Sequence, residues 1–221
     1  MIVALDIETI GNPEAIALMP EPEVKLGNVK DPAKIAEKIA AAKLAQVEKA
    51  ALNPLTARVV CYAMASMKDA YADAICAISD EDERCMIQNI MTAIGTPETR
   101  LVTWNGIGFD LQMIYKRAMI LGVDPADFGA PPLPAWTKRY NTDKHYDLMQ
   151  IWGGWSSMGF EKLDTVSRML LGDQKTEGFD VTTIAALIET DEGREQVKKY
   201  CLQDTVLTYR LWEKMNGTLF A

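Results

Sequence analysis

Short β-branched apolar runs in the first half of the chain, helical periodicity dominating the second, and no strict strand-helix alternation together predict a mixed α/β domain. The 221 residues are 48% hydrophobic, enough for one sizeable core or a core with a generous insertion, so one domain is expected.

The elements follow in order. "IVAL", residues 2–5, reads as a buried strand that stops at Asp6 and leaves acids at its C-terminal end. Residues 11–29 carry Gly and Pro and read as a loop. Asp31 as N-cap and Pro32 at the first helical position open an Ala-rich helix with Ile35, Ile39 and Ala42 on one side. "RVVCYAMAS" (58–66) and "YADAICAIS" (71–79) read as two strands joined by a turn near Lys68 and Asp69, a meander continuing from the first strand. "DEDERCMIQNIMTAIG" has an acidic first turn, apolar residues at helical spacing and a terminal Gly95. "RLVTW" (100–104) is another short strand, and "NGIGFD" turns from it into a helix ending near Gly122. Residues 123–144 read as the longest irregular segment, with His145 at its end. Helices are expected at about 147–152, 161–171 and 181–189, and a final one from about Asp191 to Asn216.

Bulk chemistry narrows the function classes. A formal charge of -8 and a pI near 4.8 argue against a uniformly basic nucleic-acid surface, but not against an acidic site neutralised by cations. Cys61, Cys76, Cys85 and Cys201 form no Cys-x-x-Cys pair, which disfavours a zinc site or disulfide framework and fits reduced thiols in the cytoplasm. "MIVALDIET" lacks the basic start and apolar run of a signal peptide, and no window is apolar enough for a membrane span, so no membrane partner is expected.

Asp6 and Glu8 share one face of a strand, where two desolvated acids repel unless a cation lies between them. Read alone, each acid also has a structural role open to it: Asp6 as a turn or cap, Asp110 as a first-turn helix acid, Asp204 as a partner for a core Tyr200 four residues earlier. Their order is more selective. Asp-x-Glu follows the first strand, Asn-x-x-x-Phe-Asp follows a later one, and Tyr-x-x-x-Asp lies on the last helix.

With "ALDIET", "NGIGFD" and "YCLQD", the chain resembles the DEDD (DnaQ-like) superfamily of 3′-5′ exonucleases, which have a ribonuclease H-like fold: a central mixed sheet flanked by helices. The resemblance covers nearly the whole chain, residues 1–221, as one domain with a helical insertion at about 14–54 after the first strand. Tyr200 matches the tyrosine subclass, and Lys199 stands where the histidine subclass has histidine. "HYDLM" and "EKLDTVSRMLLG" make it most similar to the exonuclease domains of family B DNA polymerases.

The resemblance implies catalytic Asp6, Glu8, Asp110, Tyr200 and Asp204, the four acids holding two divalent cations and Tyr200 orienting the attacking water. Hard oxygen donors suit Mg²⁺ or Mn²⁺. It further implies that Thr9 and Ile10 lie against the terminal nucleotide and that Asn105 and Phe109 shape the strand's path, with core packing an equal alternative for Phe109. Lys138, Arg139 and Lys144, near Trp136 and Tyr140, offer a phosphate-gripping loop or an ordinary solvated one, and Trp104, Trp136, Trp152 and Trp155 are candidate base stackers, with core packing the favoured role for Trp104 at the end of a buried strand. Lys30, Lys34 and Lys38 form a basic stripe on the early helix that Glu37 and Glu48 dilute, which favours a solvated face. The implied substrate is the 3′ end of single-stranded nucleic acid, DNA favoured over RNA, with a polymerase or replication partner for any proofreading role. An exoribonuclease and a non-catalytic binding scaffold are the alternatives.

Overall fold

Strand β1 does not stop at its acids. In the computed structural model, which describes residues 1–66, 69–74, 79–173 and 179–220, it runs Ile2–Gly11 straight through Asp6 and Glu8. The expected end at Asp6 is therefore corrected: Thr9 and Ile10 are β-branched, and pairing with the next strand carries the extended backbone onward. Short α1 (Pro13–Ala17), capped by Asn12, and long α2 (Pro32–Glu48), capped by Asp31, follow, then a 3-10 turn at Ala50–Leu52. The connection between β1 and β2 (Ala57–Ala65) is thus helical, as expected.

After β2 come β3 (Ala70–Ala74), α3 (Asp80–Ile94), β4 (Arg100–Thr103), α4 (Asp110–Leu121), α5 (Pro134–Thr137), β5 (His145–Asp147), α6 (Leu148–Trp152), α7 (Leu163–Leu171), α8 (Ile184–Leu187) and α9 (Asp191–Met215). Residues 75–78 of the expected third strand, and Lys68 of the turn before it, lie outside the described residues. Strand β5 falls between the irregular segment and the helix expected from about 147, where no strand was expected: three residues are too few to show a period of two.

The five described strands form one sheet in the order β3-β2-β1-β4-β5. β1, β2 and β3 make an antiparallel meander, while β4 and β5 run parallel to β1, which is the mixed sheet of a ribonuclease H-like fold. Alternation along β1 assigns its two faces. Val3, Leu5 and Ile7 bury against Met86, Ile87, Ile90, Leu111 and Ile114 of α3 and α4. Ala4 and Ile10 face the opposite layer, which includes α9, and by strand period Asp6 and Glu8 point the same way. The 25-residue α9 buries Val197, Tyr200, Cys201, Asp204, Thr208 and Leu211, the spacing of one helical face.

Two irregularities shape the site. β4 pairs with β1 only over Ile2–Ala4, so farther along, the β1 edge faces the turn after β4 rather than a strand. On its other edge the register shifts between Glu8 and Thr9, whose partners are Cys61 and Val59, so Val60 is the extra residue of a bulge. There the Val59 N–H donates to Glu83 Oε1 at 2.9 Å. Glu83 is fully buried and also receives Arg117 at both carboxylate oxygens (2.8 and 2.5 Å). The acidic first turn of α3 thus holds one acid that is not a solvated dipole partner but a buried ion pair. Among the described residues no helix is long and apolar enough to cross a membrane.

Candidate active site

The site is assembled where β1 outruns β4. Asp6 and Glu8 project from β1 toward α9, and Cys201 of α9 meets them: donor atoms of the three lie within 4.8 Å of one another. Cys201 Sγ is 3.8 Å from Asp6 Oδ2 and 3.7 Å from the Asp6 carbonyl oxygen. Burial above all, then hydrogen bonding to Cys61 and the charges of Cys61, Asp6 and Glu8, pushes the Cys201 thiol well up, so the group is a neutral thiol against the acids. Asp204, one helical turn beyond Cys201, is 4% exposed on the same buried face of α9.

Asp110 arrives from the other side of the sheet, as the first residue of α4, and the uncovered edge of β1 receives it through the Ile7 N–H. Its carboxyl is 3% exposed, and burial pushes it up to about 7, assisted by the charge of Asp147 and opposed by the backbone N–H groups of Asp110 and Ile7. A carboxyl this reluctant to ionise is one whose charge a divalent cation would stabilise. All four candidate ligands are hard oxygen donors, so the set suits Mg²⁺ or Mn²⁺.

The turn that delivers Asp110 is held by Asp147, which sequence reasoning did not single out. Its Oδ1 accepts from Asn105 N (3.2 Å) and Gln150 N (3.1 Å), and its Oδ2 from Ile107 N (2.8 Å). Asn105 sits at φ 75 and makes the reversal; its carbonyl accepts from Phe109 N at 2.8 Å. A Cβ at Gly106 would lie 2.3 Å from Thr103 Oγ1, which explains the glycine in "NGIG". Behind the turn, buried His145 places Nδ1 2.8 Å from the Trp136 carbonyl and Nε2 2.8 Å from Thr103 Oγ1. The carbonyl can only accept, so Nδ1 carries the proton, Nε2 accepts from Thr103, and Thr103 accepts from Gly106 N at 2.9 Å. Burial lowers the His145 pKa, which keeps this neutral tautomer.

Tyr200 is 8% exposed and its ring stacks on Phe179, centroids 4.1 Å apart at 11°. A cleft of about 640 Å³ opens beside Glu8. Thr9, Ile10 and Phe109 line it, with Val47, Glu48 and Leu52 on one side and Val181, Thr182 and Ile184 on another. The Thr9 hydroxyl donates to the Ala51 carbonyl at 2.7 Å, fastening the β1-β2 connection to the strand that carries the acids. Phe109 serves both roles open to it, lining the cleft and packing on the core.

Asn105 shapes the turn and does not line this cleft, and neither does Arg139, whose guanidinium donates to the Trp155 carbonyl and lies 4.8 Å from the Tyr140 ring centroid. Lys144 donates to the Pro97 carbonyl at 2.8 Å, at the N-terminal ends of β4 and β5, opposite the acids. Trp136 is buried, its indole N–H donating to Tyr115 Oη at 2.6 Å, so it is not a base stacker. Trp104 donates to the Glu161 carbonyl and packs on the core.

Residues 52–219 match the family described as a predicted 3'-5' exonuclease related to the exonuclease domain of PolB. The DNA polymerase of Desulfurococcus sp. (strain Tok) is 28% identical over 137 residues, 58% of this chain and 18% of that protein. The DNA polymerase of Pyrococcus horikoshii is 28% identical over 137 residues, 58% of this chain and 11% of that protein. This chain therefore spans less than a fifth of these relatives. The structure of the family B DNA polymerase from the archaeon Pyrobaculum calidifontis aligns with a TM-score of 0.64 at 19% identity, covering 97% of this chain and 24% of that one, a likeness of fold. The matched stretch includes Asp110, Tyr200 and Asp204, and the chain belongs to this family of 3′-5′ exonucleases related to the exonuclease domain of PolB.

Proposed function

We propose that the protein hydrolyses phosphodiester bonds from the 3′ ends of single-stranded DNA, releasing nucleoside monophosphates, as a member of the tyrosine subclass. The observation that supports this reading is the gathering of Asp6 and Glu8 of β1 against Cys201, with the buried Asp110 reaching the Ile7 N–H of the same strand, beside a cleft that Glu8 itself lines. Asp6, Glu8, Asp110 and Asp204 are the ligands. Two divalent cations in their care would acidify the attacking water and stabilise the leaving 3′-oxygen.

The chain's own residues do the rest. Tyr200 hydrogen-bonds and orients the water; a tyrosine, with an ordinary pKa of about 10, is a weak base at neutral pH. The face-to-face contact with Phe179 limits rotation of the Tyr200 ring. Thr9, Ile10 and Phe109 take the terminal nucleotide by apolar contact, since among the described residues no lysine or arginine lines the cleft. Asn105 sets the path of the strand by fixing the turn before Phe109. DNA is favoured over RNA because the similar proteins named above are DNA polymerases. Their context also suggests work alongside a polymerase.

The test is incubation of 3′-blocked and 5′-blocked labelled single strands, DNA and RNA in parallel, with Mg²⁺ or Mn²⁺. A ladder that shortens from an unblocked 3′ end, faster on DNA, is the expected result. Preferential degradation of RNA would replace the substrate assignment, and no metal-dependent cleavage of either would overturn the enzymatic one.

A further inference from the structure

Helix α2 is 17 residues long yet buries no residue. It is tethered to the preceding loop by Lys43–Glu21 (2.7 Å) and by Gln46 donating to the Pro20 carbonyl (3.1 Å). Its C-terminal end forms a wall of the cleft through Val47 and Glu48. Its charge runs against that of the molecule. Residues 25–49 carry six lysines and three acids, a net +3 in a chain of -8, so the remainder carries -11.

Three of the four lysines from Lys34 to Lys49 share one side of the helix, while Lys43, paired with Glu21, stands opposite them. At about 100° per residue, Lys34, Lys38 and Lys49 stand within roughly 60° of one another, with Ala41 and Ala45 between them along the same row. Among the described residues none of the three makes an ion pair, and all three are exposed. At 1.5 Å per residue the row is roughly 22 Å long, and it ends at Lys49, beside the cleft-lining Val47 and Glu48. The small alanines leave room for a chain to lie close.

We propose that this lysine row is an arm that holds the phosphates of the single strand whose 3′ end occupies the cleft; the inference rests on the exonuclease reading above. Among the described residues the cleft offers no cation for the backbone, so the strand's charge is met by cations outside that lining. The row ends at Lys49, next in sequence to the cleft-lining Glu48, and a flexible polyanion is the ligand a cationic stripe on an otherwise acidic protein selects.

The test uses the triple variant Lys34→Ala, Lys38→Ala, Lys49→Ala, all at surface positions. Binding of a labelled 20-nucleotide strand, with Ca²⁺ in place of Mg²⁺, is followed by fluorescence anisotropy between 50 and 200 mM salt. Three lost phosphate contacts should flatten the log-log salt dependence by about 2 and weaken low-salt binding about tenfold or more. The corresponding triple arginine variant should keep the wild-type slope. Hydrolysis of a p-nitrophenyl ester of thymidine 5′-phosphate, too short to reach α2, should be unchanged. Equal slopes for wild type and the alanine variant would overturn the arm, as would equal losses on the short ester and the long strand. Failure of the wild type to hydrolyse either substrate would sink the exonuclease reading, while the anisotropy would still decide the arm.

Discussion

Asp147 and Asp110 stand within electrostatic reach of one another across the turn between β4 and α4, and the same Asp147 carboxylate that raises Asp110 also holds the turn presenting it. Because burial first and Asp147 second push Asp110 up to about 7, protons and divalent cations compete for it in the physiological range. In the metal-free protein the folded state keeps a proton that the unfolded chain releases near 4, so the contribution of Asp110 to stability should fall as pH rises from about 4 to about 7. Added Mn²⁺ should reverse this trend above about pH 7. Thermal unfolding of wild type and Asp110→Asn at pH 5, 6, 7 and 8 with and without Mn²⁺ checks both signs, the difference between the two metal-free profiles isolating Asp110 from the opposite slope of His145.

Asp147→Ala strands the N–H groups of Asn105, Ile107 and Gln150. A loss of about 1–3 kcal/mol in denaturant unfolding is expected for each N–H left dry, less wherever water enters. Turnover should fall further than stability explains, because Asp110 rides on that turn. Full activity in Asp147→Ala would mean the turn is held without it.

Asp6→Ala and Asp204→Ala should remove nuclease activity almost entirely, whereas Tyr200→Phe should lower kcat by up to about 10²-fold and leave Mn²⁺-induced thermal stabilisation intact. Near-native activity in Asp6→Ala would refute the ligand assignment.

His145 is buried and neutral, with its pKa lowered below the ordinary 6.5. The unfolded chain therefore takes up a proton before the folded one does. Its stabilising effect is complete above about 6.5 and is lost as pH falls further. Comparing the pH dependence of unfolding in wild type and His145→Gln isolates that slope, which should be shallower in the variant.

Much of this molecule was legible in its sequence where local physics dominates. Helices α2, α3, α4 and α9 announce themselves through caps and period: Asp31 with Pro32, the acidic turn from Asp80, Gly122, and the face of α9. Asp6 and Glu8 were picked out because two acids on one strand face are costly without a cation. What stayed hidden depends on distant partners. Asp147 acts on backbone groups 40 and 42 residues away, a relation that no spacing encodes. Cys201 reads as one more apolar residue until the fold sets it against Asp6. Phe179 meets Tyr200 only across a long connection, and Glu83 looks like any first-turn acid until Arg117 closes on it. On α2 the lysines are exposed, as the sequence leads one to expect, and of the two diluting acids Glu48 lines the cleft while Glu37 stays about 60° from Lys34 around the helix.

The early end of β4 leaves the Ile7 N–H to Asp110 rather than to a neighbouring strand. That single amide is therefore a built-in gauge of the site. Its nitrogen chemical shift should titrate with the carboxyl and jump when a cation displaces the proton, so one backbone resonance reports occupancy with no substrate present.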